Sequence, residues 1–209
     1  MQEQLNERQQ RIIPIAAHAA AGNLPDLESA IHRSLEGGLT INEIKEVLVQ
    51  LYAYCGFPRS LNALEVLMKL VTARRQAGTV DQEGRAATPP PVEWDSLACG
   101  SENQTQLAGQ PVAGALFDFA PAIDQFLKAH LFGDIFQRDI LDWQTREVAT
   151  LSALAVMSGV ENQLRSHFTL SLNTGLTHAR LQHFIHILEE ACGSAAAGRA
   201  GQVLNTLYK

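Results

Sequence analysis

Apolar residues recur along this chain at helical spacing, and the pattern occurs twice. Leu27, Ile31 and Leu35 follow i, i+4, i+8, and Ile44, Leu48 and Leu51 continue in the next segment; each set lines one helical face. The same stripes return as Leu164, Phe168 and Leu172, then Leu181, Ile185 and Leu188. Residues 34–40 (SLEGGLT) align with 171–177 (SLNTGLT), an offset of 171 − 34 = 137 that also carries Cys55-Gly56 onto Cys192-Gly193. The first helix matches at one residue less, Ile12 and Ile15 with Val148 and Leu151, which implies an insertion in the turn near Gly22 or Gly159.

Helix ends have chemical signals. Asn6 and Asp142 are suited to N-caps, since their side-chain oxygens accept first-turn N–H groups. Thr40 with Glu43 forms a capping box, whereas Thr177 is followed by Arg180. Pro25 fits a first helical position, Gly38 and Gly175 fit C-caps, and Gly56-Phe57-Pro58 ends a third helix and starts a fourth. Each copy therefore predicts four helices and no strand: an all-α fold of two fused modules, 5–77 and 141–209, paired as a pseudo-dimer.

The intervening residues divide in two. Residues 78–115 open with GTVDQEGRAATPPPV and predict a linker. Residues 116–140 hold five of the eight phenylalanines and predict a connecting helix. In that helix Phe119, Ile123, Phe126 and His130 share a face that needs a partner surface.

Composition narrows the function. The net charge is −6, without a basic run, which excludes a nucleic-acid phosphate backbone as the expected partner. No apolar stretch approaches a membrane span, and the polar opening MQEQLNERQQR lacks the apolar core of a signal peptide. Three scattered cysteines suit neither a disulfide scaffold nor a four-ligand zinc site. A small-molecule ligand and a reducing, cytoplasmic setting are expected.

The second copy, TREVATLSALAVMSGVENQLRSHFTLSLNTGLTHARLQHFI, resembles the carboxymuconolactone decarboxylase family, which includes the AhpD-like alkylhydroperoxidases. The R-E start, the small-residue helix, the Q-L-x-x-H helix and L-N-x-G-L-T occur in the family's order; EIKEVLVQLYAYCGFPRSLNAL of the first copy is similar to its third and fourth helices. The resemblance implies an AhpD-like helical fold, a homo-oligomer (trimer or hexamer) and either one of two chemistries or a non-catalytic member that retains only the fold. The hydroperoxidase chemistry uses a C-x-x-C pair near a histidine. The corresponding positions here are Val160 and Gln163, and in the first copy Asn23 and Asp26, so the usual dithiol is missing; a single-cysteine variant would rest on Cys55.

The decarboxylase chemistry needs no cofactor or metal. It requires a proton donor for carbon and a hydrogen-bond donor for the oxyanion that develops on a carbonyl. His167 is the candidate acid or base, because imidazole exchanges protons near neutrality. By resemblance Glu147 would hold it or relay its proton. Gln163, one turn before His167, could orient the ring, and Arg146 has the planar fork that binds a carboxylate. The first copy has Ala30 and Arg11 where the second has His167 and Glu147, but it carries Tyr54 and Arg59 near its Gly-Phe-Pro break. A composite site is therefore expected, with His167 and Glu147 facing Tyr54 and Arg59, and with His130 able to enter from the Phe-rich segment. His178, His183 and His186 read as solvated helix positions.

Overall fold

A computed structural model describes residues 3–208. Four helices form the first half: α1 (Glu7–Ala21), α2 (Leu24–Glu36), α3 (Ile41–Cys55) and α4 (Phe57–Gln76). Four more form the second: α8 (Trp143–Val156), α9 (Glu161–Asn173), α10 (His178–Cys192) and α11 (Ser194–Asn205). The described residues contain no strand.

The caps act where the sequence places them. Asn6 closes a full capping box with Gln9, Thr40 closes one with Glu43, and Asp142 accepts from the Thr145 N–H at 2.7 Å. Gly38 and Gly175 sit one residue past the C-caps Gly37 and Thr174, at φ 87° and 94°. Gly56 and Gly193 join the third and fourth helix of each half at φ 83°, a left-handed turn for which glycine is suited. The two halves thus share backbone punctuation as well as apolar pattern.

What makes one body of them is an exchange at the centre, where α1 packs on α8. Each of these helices is buried on several faces, so each supplies both cores. Ile12, Ile15 and Ala16 enter the core of the first half, while Ile13 and Ala17 enter that of the second. Their counterparts 136 residues on do the reverse: Val148 and Leu151 stay in the second core, and Ala149 and Ala153 cross to the first. The segment before each helix behaves alike, for Leu5 is buried in the second core and Leu141 in the first. Each such leucine contributes roughly 1.5–3 kcal/mol to a core that its own half does not own, so neither half buries its apolar surface alone.

Residues 78–115 are more structured than a linker. The carbonyls of Gln82 and Glu83 accept from the Ile41 and Asn42 N–H groups, both at 2.9 Å, and so satisfy orphan donors at the start of α3. Residues Ser96–Ala108 form a further helix, α5. The Phe-rich stretch is broken where one helix was expected. It forms α6 (Ala115–Phe119), α7 (Pro121–Phe126) and a wider π segment, Leu127–Ile135. Pro121 has no N–H to continue α6, which explains the break. The π segment crosses α5 glycine to glycine: a Cβ on Gly100 would lie 1.9 Å from the Lys128 carbonyl oxygen, and one on Gly133 would lie 2.2 Å from that of Ser96.

This close crossing sorts the aromatic residues. Leu131, Phe132, Ile135 and Phe136 form a third cluster with Leu107, against which Tyr52, Tyr54 and Trp143 pack. Phe119, Ile123 and Phe126, the face expected to find a partner, are instead exposed, with Phe119 at 88%. No helix among the described residues is long and apolar enough to cross a membrane.

Candidate functional site

The sequence of α8 places Arg146 and Glu147 in its second turn, and the α1–α8 exchange draws that turn into the interior. Both side chains are fully buried, as are Thr150 and Gln50. A charge at such a depth must find a partner. Glu147 finds His167 on α9, whose Nδ1 lies 2.8 Å from Glu147 Oε2. A carboxylate only accepts, so this bond places the proton on Nδ1 and leaves Nε2 of the neutral ring with its lone pair. His167 keeps 8% of its surface exposed, a narrow access to solvent.

Tyr54 comes to this pair from the other half. Its ring meets that of His167 edge-on, with centroids 5.3 Å apart. Its hydroxyl is buried with no hydrogen-bond partner, and Glu147 Oε1 is in the same condition. Burial, and then the nearby Glu147 charge, push the tyrosine pKa far upward against the Thr150 hydroxyl within hydrogen-bonding reach and the Arg146 charge, so the group is a neutral O–H donor. A donor from one half and an acceptor from the other thus stand unsatisfied, each on a residue that touches the same histidine.

Behind Tyr54 runs a polar ladder. Glu46, Gln50 and Tyr54 are spaced i, i+4, i+8 on α3 and face α8. Gln50 Nε2 donates to Thr150 Oγ1 and to the Arg146 carbonyl, both at 2.9 Å, and its Oε1 accepts from Arg146 Nη1 at 2.9 Å. Arg146 Nη2 donates to Glu46 Oε1 at 2.9 Å and to the Arg138 carbonyl at 2.7 Å. Arg138, from the segment before α8, grips the same Glu46 with two bonds at 2.7 and 3.0 Å. Burial pushes the Glu46 pKa up, but the hydrogen bonds and charges of Arg138 and Arg146 outweigh it and hold the carboxyl below its usual range.

Of the residues the sequence singles out, the structure therefore brings together His167, Glu147 and Tyr54. Arg146 lies deeper, with both terminal nitrogens already engaged and only Nε unpartnered. Arg59 is directed to the Ala20 carbonyl at the end of α1. Gln163 is exposed on α9. His130 pairs with Asp134 at 2.8 Å and packs on the Tyr52 ring, on the exposed side of the connector. On α10, His183 Nδ1 accepts from the Leu5 N–H at 3.1 Å, His186 pairs with Glu190 at 3.4 Å, and His178 packs on Tyr208. Sequence reasoning overlooked Glu46, Gln50 and Thr150. For Glu46 and Gln50 the signal was the polar i, i+4, i+8 spacing with Tyr54, running beside the apolar stripe of α3; Thr150 on α8 carried none.

The second half of the pseudo-symmetry has no such site. Positions equivalent to Glu46, Gln50 and Tyr54 are His183, Ile187 and Ala191 (offset 137). Those equivalent to Arg146, Glu147 and Thr150 are Gln10, Arg11 and Pro14 (offset 136), and Ala30 stands for His167. A cleft of about 310 Å³ opens near the start of α8 and the end of α9, walled by Trp143, Asn173 and polar neighbours but not by His167, Glu147 or Tyr54.

The thiols have a different setting. Cys55 Sγ donates to the Leu51 carbonyl at 3.1 Å, and burial raises its pKa in spite of the Arg59 charge nearby. Burial pushes Cys192 up to about 11. Neither is poised as a thiolate near neutrality.

The sequence profile of the carboxymuconolactone decarboxylase family matches residues 1–69 and 121–205. An uncharacterised protein of Methanocaldococcus jannaschii is 29% identical over 68 residues, 32% of this chain and 64% of that protein. The chain therefore spans a little under two thirds of that relative's length.

Proposed function

The chain belongs to the carboxymuconolactone decarboxylase family, and on that premise we propose that it is a cofactor-free acid–base enzyme acting on a small carboxylated lactone or a related carbonyl compound. The observation that carries this reading is the buried His167–Glu147 pair, 2.8 Å apart, with the unpartnered Tyr54 hydroxyl beside it. In decarboxylation the bond to the carboxylate carbon breaks and its electron pair moves into the conjugated carbonyl, releasing carbon dioxide. Tyr54 donates to the oxygen on which charge develops. His167, held by Glu147 at Nδ1, takes a proton from solvent on Nε2, delivers it to carbon and returns to the neutral ring. The test is carbon dioxide release from a carboxylated γ-lactone, together with solvent deuterium uptake at the carbon next to the product carbonyl, in the parent chain and in His167→Ala.

The runner-up in this family is hydroperoxide reduction, and the raised thiols speak against it. We expect Cys55→Ser to leave peroxide consumption unchanged, at the level of buffer. A peroxidase activity that Cys55→Ser abolishes would overturn the acid–base reading.

The same premise makes the chain a homo-oligomer, trimer or hexamer, in our reading. The surface we assign to the contact is the exposed stripe Leu116, Phe119, Ile123 and Phe126. Phe119→Asp, which places a charge in that stripe, should shift sedimentation velocity to the monomer. An unchanged coefficient would remove the stripe from the contact.

A further inference from the structure

We propose that the groove between α3 and α4 is a second binding site, separate from His167 and Glu147, and that its ligand is a small aryl carboxylate. The ring lies in the groove and the carboxylate lies on Arg75.

The groove has a volume of about 280 Å³. One side is a single face of α4, where Leu64, Leu67, Met68, Val71 and Arg75 follow i, i+3, i+4, i+7, i+11. Ile41 at the start of α3 and Leu67 are buried, so the floor is apolar, whereas Met68 is 62% exposed. The remaining side comes from the segment around Glu83, whose carbonyl is bonded to the start of α3. That segment lies close on the helix, for a Cβ on Gly84 would stand 2.4 Å from Thr40 Oγ1. Apolar walls with a few polar groups at the rim are the usual build of a small-molecule site.

The other half of the chain indicates what fits. At the offset of 137, Val71 corresponds to Tyr208 and Ile41 to His178. The Tyr208 ring packs edge-on against His178, with centroids 4.4 Å apart. The second copy therefore carries an aromatic ring of its own at the position where the first has Val71 and an open groove. A free ring also suits Met68, since a thioether makes favourable contacts with aromatic edges.

The charges at the rim select the second part of the ligand. Lys45 and Glu83 line the groove but neutralise one another at 2.9 Å. Arg74, which points away, is held by Asp81 at 2.9 Å and by Glu36 at 3.6 Å. Arg75 has no carboxylate partner among the described residues. The groove thus keeps one positive charge in a chain of net charge −6. A guanidinium presents two parallel donors to a carboxylate, whereas an ammonium ligand would be repelled.

The test is a titration of the full chain followed by NMR of the Met68 methyl group, with three probes. 3-Phenylpropionate has ring and charge, 3-phenylpropionamide has the ring alone, and propionate has the charge alone. The acid should bind roughly threefold to fivefold tighter than its amide, the range of an exposed ion pair. It should bind at least about tenfold tighter than propionate, which has no ring to bury. Arg75→Gln, an exposed substitution, should erase the difference between acid and amide. Val71→Tyr installs the side chain of the other half in the groove and should abolish binding of both ring probes.

Equal affinities of acid and amide in the parent, no response of Met68 to either, or a preference for the acid that survives Arg75→Gln would overturn the proposal. So would binding that persists in a folded Val71→Tyr chain. A Met68 signal that shifts with protein concentration alone would assign the groove to a second copy of the chain and overturn it too.

Discussion

In His167→Ala, turnover of a carboxylated lactone should fall roughly 100- to 10,000-fold, the usual contribution of a positioned proton donor. The loss belongs in kcat, since the imidazole acts on the carbon atom during reaction rather than on the bound ground state. The substitution also strands Glu147 as a buried carboxylate, so His167→Gln is the companion variant. Its amide can still donate to Glu147, but it cannot exchange a proton near neutrality. It should show the same kinetic loss with melting closer to the parent. Glu147→Gln tests the holder of the ring: its amide can donate as well as accept, which permits the wrong imidazole tautomer. A His167→Ala protein within about threefold of the parent would remove the histidine from the chemistry.

Glu46→Gln should cost about 3–5 kcal/mol, the range for breaking a buried ion pair and leaving one charge without compensation. Arg146 is the charge left behind: it is fully buried, burial pulls its pKa down, and Glu46 opposes that pull. Arg138 suffers less, because its side chain is 40% exposed and water can replace the bond. Replacing both Glu46 and Arg146 by leucine should recover much of the loss, since no charge then remains unpaired in the core. Urea unfolding of the parent, Glu46→Gln and the double-leucine variant measures both quantities.

The pH dependence has a definite sign. Because the folded Glu46 pKa is depressed, the unfolded chain binds more protons between the two pKa values. The stabilisation from Glu46 is therefore complete above the unfolded value and is lost as pH falls through the folded one. Glu46→Gln should flatten that acid limb. An unchanged acid limb, or a loss below about 1 kcal/mol, would show that the ladder does not hold the two halves together.

How far the site could be read before the fold depended on the kind of signal each residue leaves. Helix periodicity and caps are local, so the duplicated helices, the turn at Gly56 and even the one-residue insertion were open to inspection. The departures of the first copy, Ala30 for His167 and Arg11 for Glu147, were equally visible and pointed to a single site. Arg146 and Glu147 look like ordinary early-helix residues, and nothing local reveals that α1 and α8 enclose them. Arg59 and Gln163 lie near the right residues in sequence, but a helix turns about 100° per residue and directs neighbours to different surroundings. Glu46 and Gln50 were hidden for a related reason. A polar residue in a helix is expected at the surface, and only a partner from another element makes it sensible inside.

The all-α class, the two copies and their punctuation follow from residue type and short-range spacing, and the resemblance to the family adds the missing thiol pair. The packed helices add that the copies exchange leucines and alanines across α1 and α8, that Tyr54 of one half stands against His167 of the other, and that the Phe119 face remains exposed. Those outcomes turn on which surfaces meet. Burial, charge pairing and an unsatisfied hydroxyl are properties of that meeting, and no single segment carries them.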